Sequence, residues 1–580
     1  MTITDPTDLH ALAEAWADGD VDEETRTALR ALMDGDDLAL LTEHVGAALS
    51  FGTAGLRGEV GPGPNRMNRA VVIRTTRGLA DFLLAEVPDA ATRGVVVGFD
   101  ARTDSARFAA DTVGVLAAAG IEVRWFPTPQ PTPLIAYAQK ALDAAAAVVV
   151  TASHNPPADN GYKVYVEGAA QIVPPTDAAI AAAIEAVGPA REVPLVASED
   201  LADHPKVAPV DAVVVQRFLQ ELEGARPPLP DDVARDLTIV YTPLHGVAGE
   251  LIQQAFALAG FDDLHVEPTQ AEPDGTFPTV AFPNPEEPGA LDAALALARD
   301  LDADLLIAND PDGDRLAVAV PDGAGGWLPL SGNRIGVLLG SYLLDRTDAS
   351  RPLGVRSVVS SPMFDEVCDA RGARFEATLT GFKWIARAAR ELEVSDQRTF
   401  VFGFEEALGS TVGSVVRDKD GIGAAVAFAE MVALLHAEGR TVLDRIRELS
   451  VQHGAWVSHQ VSVTRPGAAG QREIADAMAL LSERTPHALG GLAVTAVTDY
   501  RTGADQRPPW LAATDLVECS LDGGGRAMIR PSGTEPKCKV YVDLRTALAD
   551  DTDLASLEAD QLALADRVGR DLLTFVGLQS

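Results

Sequence analysis

Short apolar runs alternate along this chain with longer stretches in which apolar residues return every three or four positions. Residues 94–99, 121–126, 144–150, 237–241 and 303–309 are runs of the first kind, and with little polar alternation they predict strands buried on both faces. Residues 106–119, 250–259 and 361–370 carry the second pattern and predict helices. With 357–359 read as a further strand, three strand–helix units follow one another from residue 51, which is the mark of α/β organisation. Ahead of them, residues 7–50 predict helices, with Leu9, Leu12, Ala15 and Trp16 at helical spacing, as a packing extension. The alanine-rich run 179–186 also reads as helix. Past Gly454 the order changes to strands around 457–463 and 526–529 and helices over 471–484 and 553–574, which suits a smaller α+β domain. Proline-bearing stretches at 205–209, 227–230 and 465–467 read as linkers.

Length and charge narrow the picture. A chain of 580 residues exceeds one core, and about 150 residues per domain suggests about four domains. Its 47 Lys and Arg stand against 85 Asp and Glu, a net charge of −38. That balance argues against a nucleic-acid partner, which needs a basic face; an anionic ligand would have to meet a local positive focus. Cys368, Cys519 and Cys538 are widely separated with no metal-type spacing, so free thiols in a reducing compartment are expected. Residues 1–20 lack the basic start and apolar core of a signal peptide, and no charge-free stretch reaches the length of a membrane span. A cytoplasmic protein with no membrane partner is the expectation.

The densest chemistry lies in Thr151-Ala-Ser-His-Asn-Pro-Pro-Ala-Asp-Asn-Gly-Tyr-Lys163. The run before it ends as a strand, so Ser153 falls at a strand's carboxyl end, and Pro156 and Pro157 forbid an immediate helix. Serine needs a neighbouring base and positive charge to act as a nucleophile, and His154 and Lys163 supply candidates for both. The pattern points to phosphoryl transfer through Ser153.

Asp310-Pro-Asp-Gly-Asp-Arg315 follows another predicted strand and sets Asp310, Asp312 and Asp314 at alternating positions on a glycine-containing turn. Three carboxylates of this kind suit Mg2+, with an oxygen of a phosphorylated Ser153 completing the ligand set. A calcium EF-hand is excluded, because its Gly and Glu positions are occupied by Arg315 and Pro321.

These segments resemble the α-D-phosphohexomutase family of phosphoglucomutases and phosphomannomutases. Thr151 to Pro156 is similar to its phosphoserine loop, Asp310 to Arg315 to its metal loop, and Arg530-Pro-Ser-Gly-Thr-Glu-Pro-Lys537 to its carboxyl-terminal phosphate-binding loop. Phe51-Gly-Thr-Ala-Gly-Leu-Arg-Gly58, Tyr241-Thr-Pro-Leu-His-Gly246 and Thr380-Gly-Phe-Lys-Trp384 resemble a longer branch that includes phosphopentomutase-like members. The resemblance implies three similar α/β domains and a smaller α+β domain around a central active-site cleft. The expected boundaries are an extension at 1–50, then domains at 51–205, 206–328, 329–454 and 455–580.

It also implies roles. Arg57 would face the phosphoserine, Arg315 would support its phosphate, and Lys163 would be the first choice of general acid or base, provided its pKa falls. Lys383 and the loop Gly403-Phe-Glu-Glu-Ala-Leu-Gly409 would contact the sugar through Glu405 and Glu406; Ala407 stands where many phosphoglucomutases carry serine. Arg530, Ser532, Gly533, Thr534 and Lys537 would clamp a second phosphate, since their donors alternate with turn residues. Cys538 next to this loop is read as oxidation-sensitive.

The implied reaction interconverts glucose 1-phosphate and glucose 6-phosphate through a phosphoserine enzyme and a sugar 1,6-bisphosphate, which also serves as activator, in a monomer or homodimer. Mannose or pentose phosphates are alternative substrates. A serine phosphatase is the less favoured reading, because a hydrolase needs no second phosphate clamp. A silent sugar-phosphate sensor would be expected to have lost Ser153 or an aspartate. No P-loop or kinase motif set is present.

Overall fold

The computed structural model describes residues 6–52, 55–532, 537–549 and 552–579. The chain forms two compact units, one made of residues 1–226, 235–329 and 411–429 and the other of 227–234, 330–410 and 430–580.

In the first unit, the strands Leu56–Glu59, Asp159–Val166, Ala146–Val150, Val95–Phe99, Val123–Trp125 and Val207–Pro209 lie side by side in that order. Val95–Phe99 runs parallel to both its neighbours, whereas Asp159–Val166 is antiparallel to both of its own. Val95, Val97, Val148 and Val150 are buried with Leu79, Phe108 and Leu116 from the covering helices, which is why these strands are apolar on both faces. The expected linker at 205–209 instead contains the edge strand Val207–Pro209, and an edge tolerates proline because its outer N–H groups need no partner.

A second sheet in this unit orders Trp327–Pro329, Ala317–Pro321, Leu305–Ala308, Ile239–Thr242 and Leu264–Val266. Its central strands are parallel, but Ala317–Pro321 returns antiparallel to Leu305–Ala308. The aspartate-rich turn is that reversal. The extension forms three helices, Pro6–Gly19, Glu23–Asp34 and Leu38–Val45, with Leu9, Ala13, Ala17, Leu29 and Leu41 as its small core. Asp22 and Asp37 cap the second and third.

In the second unit, Arg374–Thr378, Pro352–Ser357 and Thr399–Glu405 run parallel. The strand expected at 357–359 lies earlier: Gly354 and Arg356 interrupt its apolar pattern, yet a side chain on Gly354 would meet Phe364 Cζ at 2.7 Å and Arg356 is buried against Asp365. Val358 and Val359 leave the strand and pack with Leu516, Met528 and Tyr541. The last sheet is antiparallel, with Ala455–Thr464, Lys537–Thr546, Arg526–Pro531, Val517–Leu521 and Leu492–Asp499 in order. Period-two alternation divides it: Val540, Val542 and Leu544 join a core with Val568 and Leu572 of the helix Leu554–Phe575, while Met528 and Tyr541 belong to the cluster with Val358 and Val359. Among the described residues no single helix is long and apolar enough to cross a membrane.

Gly161 shows how closely the first sheet is fitted around its loops. A Cβ there would stand 2.5 Å from Thr151 O and 2.9 Å from Leu56 O, both backbone atoms of adjoining segments. Gly161→Ala is expected to destabilise by roughly 1–3 kcal/mol and to lower the urea midpoint of the full chain; an unchanged midpoint would show that the strands yield.

Candidate active site

The strands Val95–Phe99 and Ala146–Val150 end together, and the residues just beyond them build the nucleophile loop. Asp100, buried, accepts from Thr151 Oγ1 at 2.6 Å and from Ser105 Oγ at 2.6 Å. Thr151 Oγ1 in turn accepts from Ser153 N at 2.8 Å. Ser153 adopts a left-handed backbone, φ 53°, which a non-glycine residue keeps only where its surroundings enforce it. Arg102 does so. Its buried guanidinium donates to the carbonyls of Ser153 at 2.6 Å, Pro156 at 2.7 Å and Asp159 at 3.0 Å, and also to that of Asn155.

Ser153 Oγ donates to Asp310 Oδ2 at 2.8 Å. The turn carrying Asp310 reverses at Gly313, φ 71°, where a Cβ would press Ala248 at 2.9 Å. Gly246, from the Tyr241–Gly246 segment, leaves room beneath it, since a Cβ there would meet Pro311 Cα at 2.5 Å. The carboxylates of Asp310, Asp312 and Asp314 are fully buried and offer oxygens within 4.8 Å of one another.

Their partners come from three other parts of the chain. Lys163 Nζ reaches Asp312 Oδ2 at 2.7 Å and Asp314 Oδ2 at 3.1 Å. Lys419 Nζ reaches Asp314 Oδ2 at 2.6 Å, and Thr132 Oγ1 donates to Asp312 Oδ2 at 2.7 Å. Asp312 Oδ1 and Asp314 Oδ1 remain buried without a hydrogen-bond partner. Buried carboxylate oxygens are costly unless paired, so these two, beside the Ser153 hydroxyl, fit a hard cation.

Burial pushes Asp310 well above the usual carboxylate range, and Asp312 and Asp314 reinforce the shift. Asp312 goes the other way: burial opposes its charge, but Lys163 and Lys419 outweigh it and hold it well below that range. Burial lowers Lys163 too, yet Asp312 and Asp314 prevail and raise it above the ordinary lysine value. With these two carboxylates beside it, Lys163 does not show the fall that a free base would require. Lys419 is raised in the same way, against burial, by Asp314 and Asp418.

His154 Nδ1 lies 3.2 Å from Ser153 Oγ, and Arg315 donates to His154 Nε2 at 3.4 Å. Burial, with Arg315 and Arg57 adding to it, holds His154 well below its ordinary pKa, so the ring is neutral. With Nε2 accepting, the tautomer this network assigns carries its proton on Nδ1. His154 then donates to the serine oxygen, whose own proton points to Asp310. Arg57 lies on Leu56–Glu59 opposite Gly161 and donates to Asn155 Oδ1 at 3.0 Å. Burial lowers its pKa first and Arg315 and Arg102 add to that, while Asp312 opposes them.

In the second unit, Glu405 accepts from Gly381 N at 2.6 Å, at the start of the helix Phe382–Ser395 that carries Lys383. Glu406 Oε2 accepts from Ser357 Oγ at 3.0 Å and Ser360 Oγ at 3.1 Å. Arg530 lies near the end of the strand Arg526–Pro531, Ser532 follows it and Lys537 opens the next strand, with Ser532 N donating to Lys537 O at 2.7 Å. Gly533 and Thr534 lie outside the described residues. Burial raises Tyr541, and nearby Glu406, Arg530 and Glu405 act on it with opposite signs, so the two loops share one neighbourhood. Cys538 is not the sensitive thiol expected: it is buried and its pKa is pushed up to about 12, which disfavours the reactive thiolate.

Sequence reasoning did not find Arg102, Thr132 or Lys419. Asp418-Lys-Asp-Gly-Ile-Gly was the available signal, a lysine between aspartates ahead of an apolar helix. Lys419 is placed by its neighbours: Asp418 accepts from Tyr165 Oη at 2.6 Å and from Gln171 at 2.7 Å, and Asp420 caps the next helix through the N–H groups of Ile422 and Gly423.

Family models match in chain order. Those described as phosphoglucomutase/phosphomannomutase alpha/beta/alpha domains I, II and III match residues 48–191, 216–324 and 331–451, and the C-terminal domain matches 495–560. The chain belongs to the phosphoglucomutase/phosphomannomutase family, with three α/β/α domains and a C-terminal domain. A Haemophilus influenzae protein named "Probable phosphomannomutase" is 40% identical over 499 residues, covering 85% of this chain and 96% of its own. Human "Phosphopentomutase" is 34% identical, covering 91% and 90%, and a Staphylococcus epidermidis "Phosphoglucomutase" 32%, covering 87% and 92%. Among solved structures, a Burkholderia thailandensis member of the family shares the fold at TM-score 0.65 and 19% identity, over 90% of this chain and 96% of that one. The chain is thus a sugar-phosphate mutase, an isomerase.

Arg102→Lys keeps the charge but not the fork that spans the loop carbonyls. It is expected to lower kcat by about tenfold or more while KM moves less than about twofold, because the loop's aim is altered and not the substrate's contacts. Steady-state kinetics on the folded variant tests this, and a wild-type kcat would refute it.

Proposed function

We propose that the protein interconverts glucose 1-phosphate and glucose 6-phosphate through phosphoserine 153 and a sugar 1,6-bisphosphate. The observation that carries this reading is the buried Ser153 hydroxyl on Asp310, beside carboxylate oxygens that lack partners. Asp310, Asp312, Asp314 and Ser153 would hold Mg2+, which when bound neutralises phosphoryl charge.

The phosphoryl group leaves the Ser153 oxygen for a hydroxyl of the sugar monophosphate: the serine P–O bond breaks and a sugar P–O bond forms. The serine oxygen then needs a proton, and the sugar hydroxyl must lose one. Lys163, paired with Asp312 and Asp314, gives its proton to the departing serine oxygen and, so freed, takes the proton the sugar hydroxyl loses, while His154 steadies the serine oxygen through Nδ1–H. Arg57 and Arg315 bind the phosphoryl oxygens. The bisphosphate then returns its other phosphate to Ser153. In the second unit we read Lys383, Glu405 and Glu406 as sugar contacts, and Arg530, Ser532, Gly533, Thr534 and Lys537 as contacts to the second phosphate. The bisphosphate is also the expected activator, and the unpaired cysteines support a cytoplasmic setting.

Pentose phosphate is the second reading. Relatives named for pentose or ribose phosphates match nearly the full length, including a Schizosaccharomyces pombe "Probable phosphoribomutase" at 35% identity over 95% of this chain, and Ala407 offers the sugar no hydroxyl.

Turnover of glucose 1-phosphate, mannose 1-phosphate and ribose 1-phosphate, each with its bisphosphate and Mg2+, ranks the sugars. Isomerised glucose phosphate is expected as the main product, and a higher kcat/KM on ribose 1-phosphate would replace it with the pentose reading. Ser153→Ala is expected to lose at least about 10³-fold in kcat; release of free phosphate without isomerisation would instead mark a phosphatase. Chelation is expected to abolish turnover and added Mg2+ to restore it, so full activity after exhaustive chelation would sink the metal assignment.

A further inference from the structure

The helical extension meets the first domain around a cavity of about 510 Å³, whose lining includes none of the residues placed in the mutase site. Its wall includes Leu12, Trp16, Val45 and Ala48 from the extension and Ala70 and Arg74 from the helix Arg69–Glu86. Apolar atoms dominate the lining. The volume falls within the ~300–1,000 Å³ typical of small-molecule pockets.

Arg74 is the anomaly in this wall. The two nearest arginines on the same helix are matched, Arg69 with Asp111 at 2.7 Å and Arg77 with Asp81 at 2.6 Å. Arg74 has no carboxylate within ion-pair distance among the described residues; it donates to Val187 O at 3.0 Å and its guanidinium lies 5.5 Å from the Trp16 ring centre. Burial lowers its pKa, with no acid offsetting it. Its Nε is buried without an acceptor, and so is Trp16 Nε1. Among the described residues seven other arginines leave a buried Nε unmatched as well, and of these Arg26 and Arg107 hold carboxylates on their outer nitrogens. In a chain with 85 acidic residues against 47 basic ones, a half-buried arginine without an acid is an unmet charge.

We propose that this cavity binds a small organic anion, with a hydrocarbon or aromatic body against the apolar wall and a single carboxylate or phosphate head on the outer nitrogens of Arg74. The lining disfavours a sugar phosphate, whose body would bring hydroxyls to a surface with few partners for them. The site is therefore separate from that of the substrate.

Calorimetric titration of the full chain with decanoate and with decyl phosphate, below their micelle-forming concentrations, tests the assignment and tells the two head groups apart. Saturable binding of at least one, at one site per chain, is expected, with decanol at least tenfold weaker for want of charge. Arg74→Met should weaken the anion at least tenfold and leave mutase turnover unchanged. Ala48→Trp, at an exposed position on the rim, should block binding by filling the space, and it keeps the test valid should Arg74→Met not fold. No saturable binding of either anion, binding undiminished in both variants, or displacement of the bound anion by glucose 1-phosphate would each overturn the proposal.

Discussion

Three carboxylates buried on one short turn are the constraint around which the first unit is arranged. Like charges out of water repel and lose hydration, and such a cluster survives only where opposite charge and donors are delivered to it. Delivery comes from far along the chain: Lys163 from the strand Asp159–Val166, Thr132 from the start of a helix, and Lys419 from a segment that follows much of the third domain. The need for Lys419 gives a physical reason why residues 411–429 belong to the first unit while 330–410 do not. The same segment is seated by a tight approach, since a Cβ on Gly421 would meet Arg315 O at 2.3 Å.

The second unit handles its acids differently. Glu406 is held by the hydroxyls of Ser357 and Ser360, and Glu405 accepts from the backbone N–H of Gly381. Neutral donors position a carboxylate without cancelling its charge, so it keeps the capacity to accept from further hydroxyl groups. The period-two alternation of the last sheet makes this arrangement possible: one face is spent on the helix Leu554–Phe575, and the other carries Tyr541 to the neighbourhood of Glu406 and Arg530.

Much of this was legible in the sequence, for a reason that also sets its limit. Ser153 and the aspartates sit in contiguous segments at strand ends, so residue type, spacing and turn chemistry announce them together. Arg102 was silent because its partners are backbone carbonyls more than fifty positions away, and a carbonyl has no letter in the sequence. Lys163 was found but its charge state could not be read, since that depends on which carboxylates the fold brings to it. The strand Pro352–Ser357 was misplaced because Gly354 and Arg356 look polar or flexible in isolation, although one makes room for Phe364 and the other forms a buried ion pair with Asp365.

Loops usually open and close independently of the sheets they join, and their amides exchange with solvent accordingly. The Ser153 loop is tied differently, because Arg102 holds several of its carbonyls at once while Asp100, itself at a sheet end, holds Thr151. Releasing the loop would strand a buried guanidinium among unpaired acceptors, a cost on the scale of opening the domain itself. The segment bearing the nucleophile is thus tied to the sheet ends by side chains of Arg102 and Asp100, so that the aim of the serine is set by the fold.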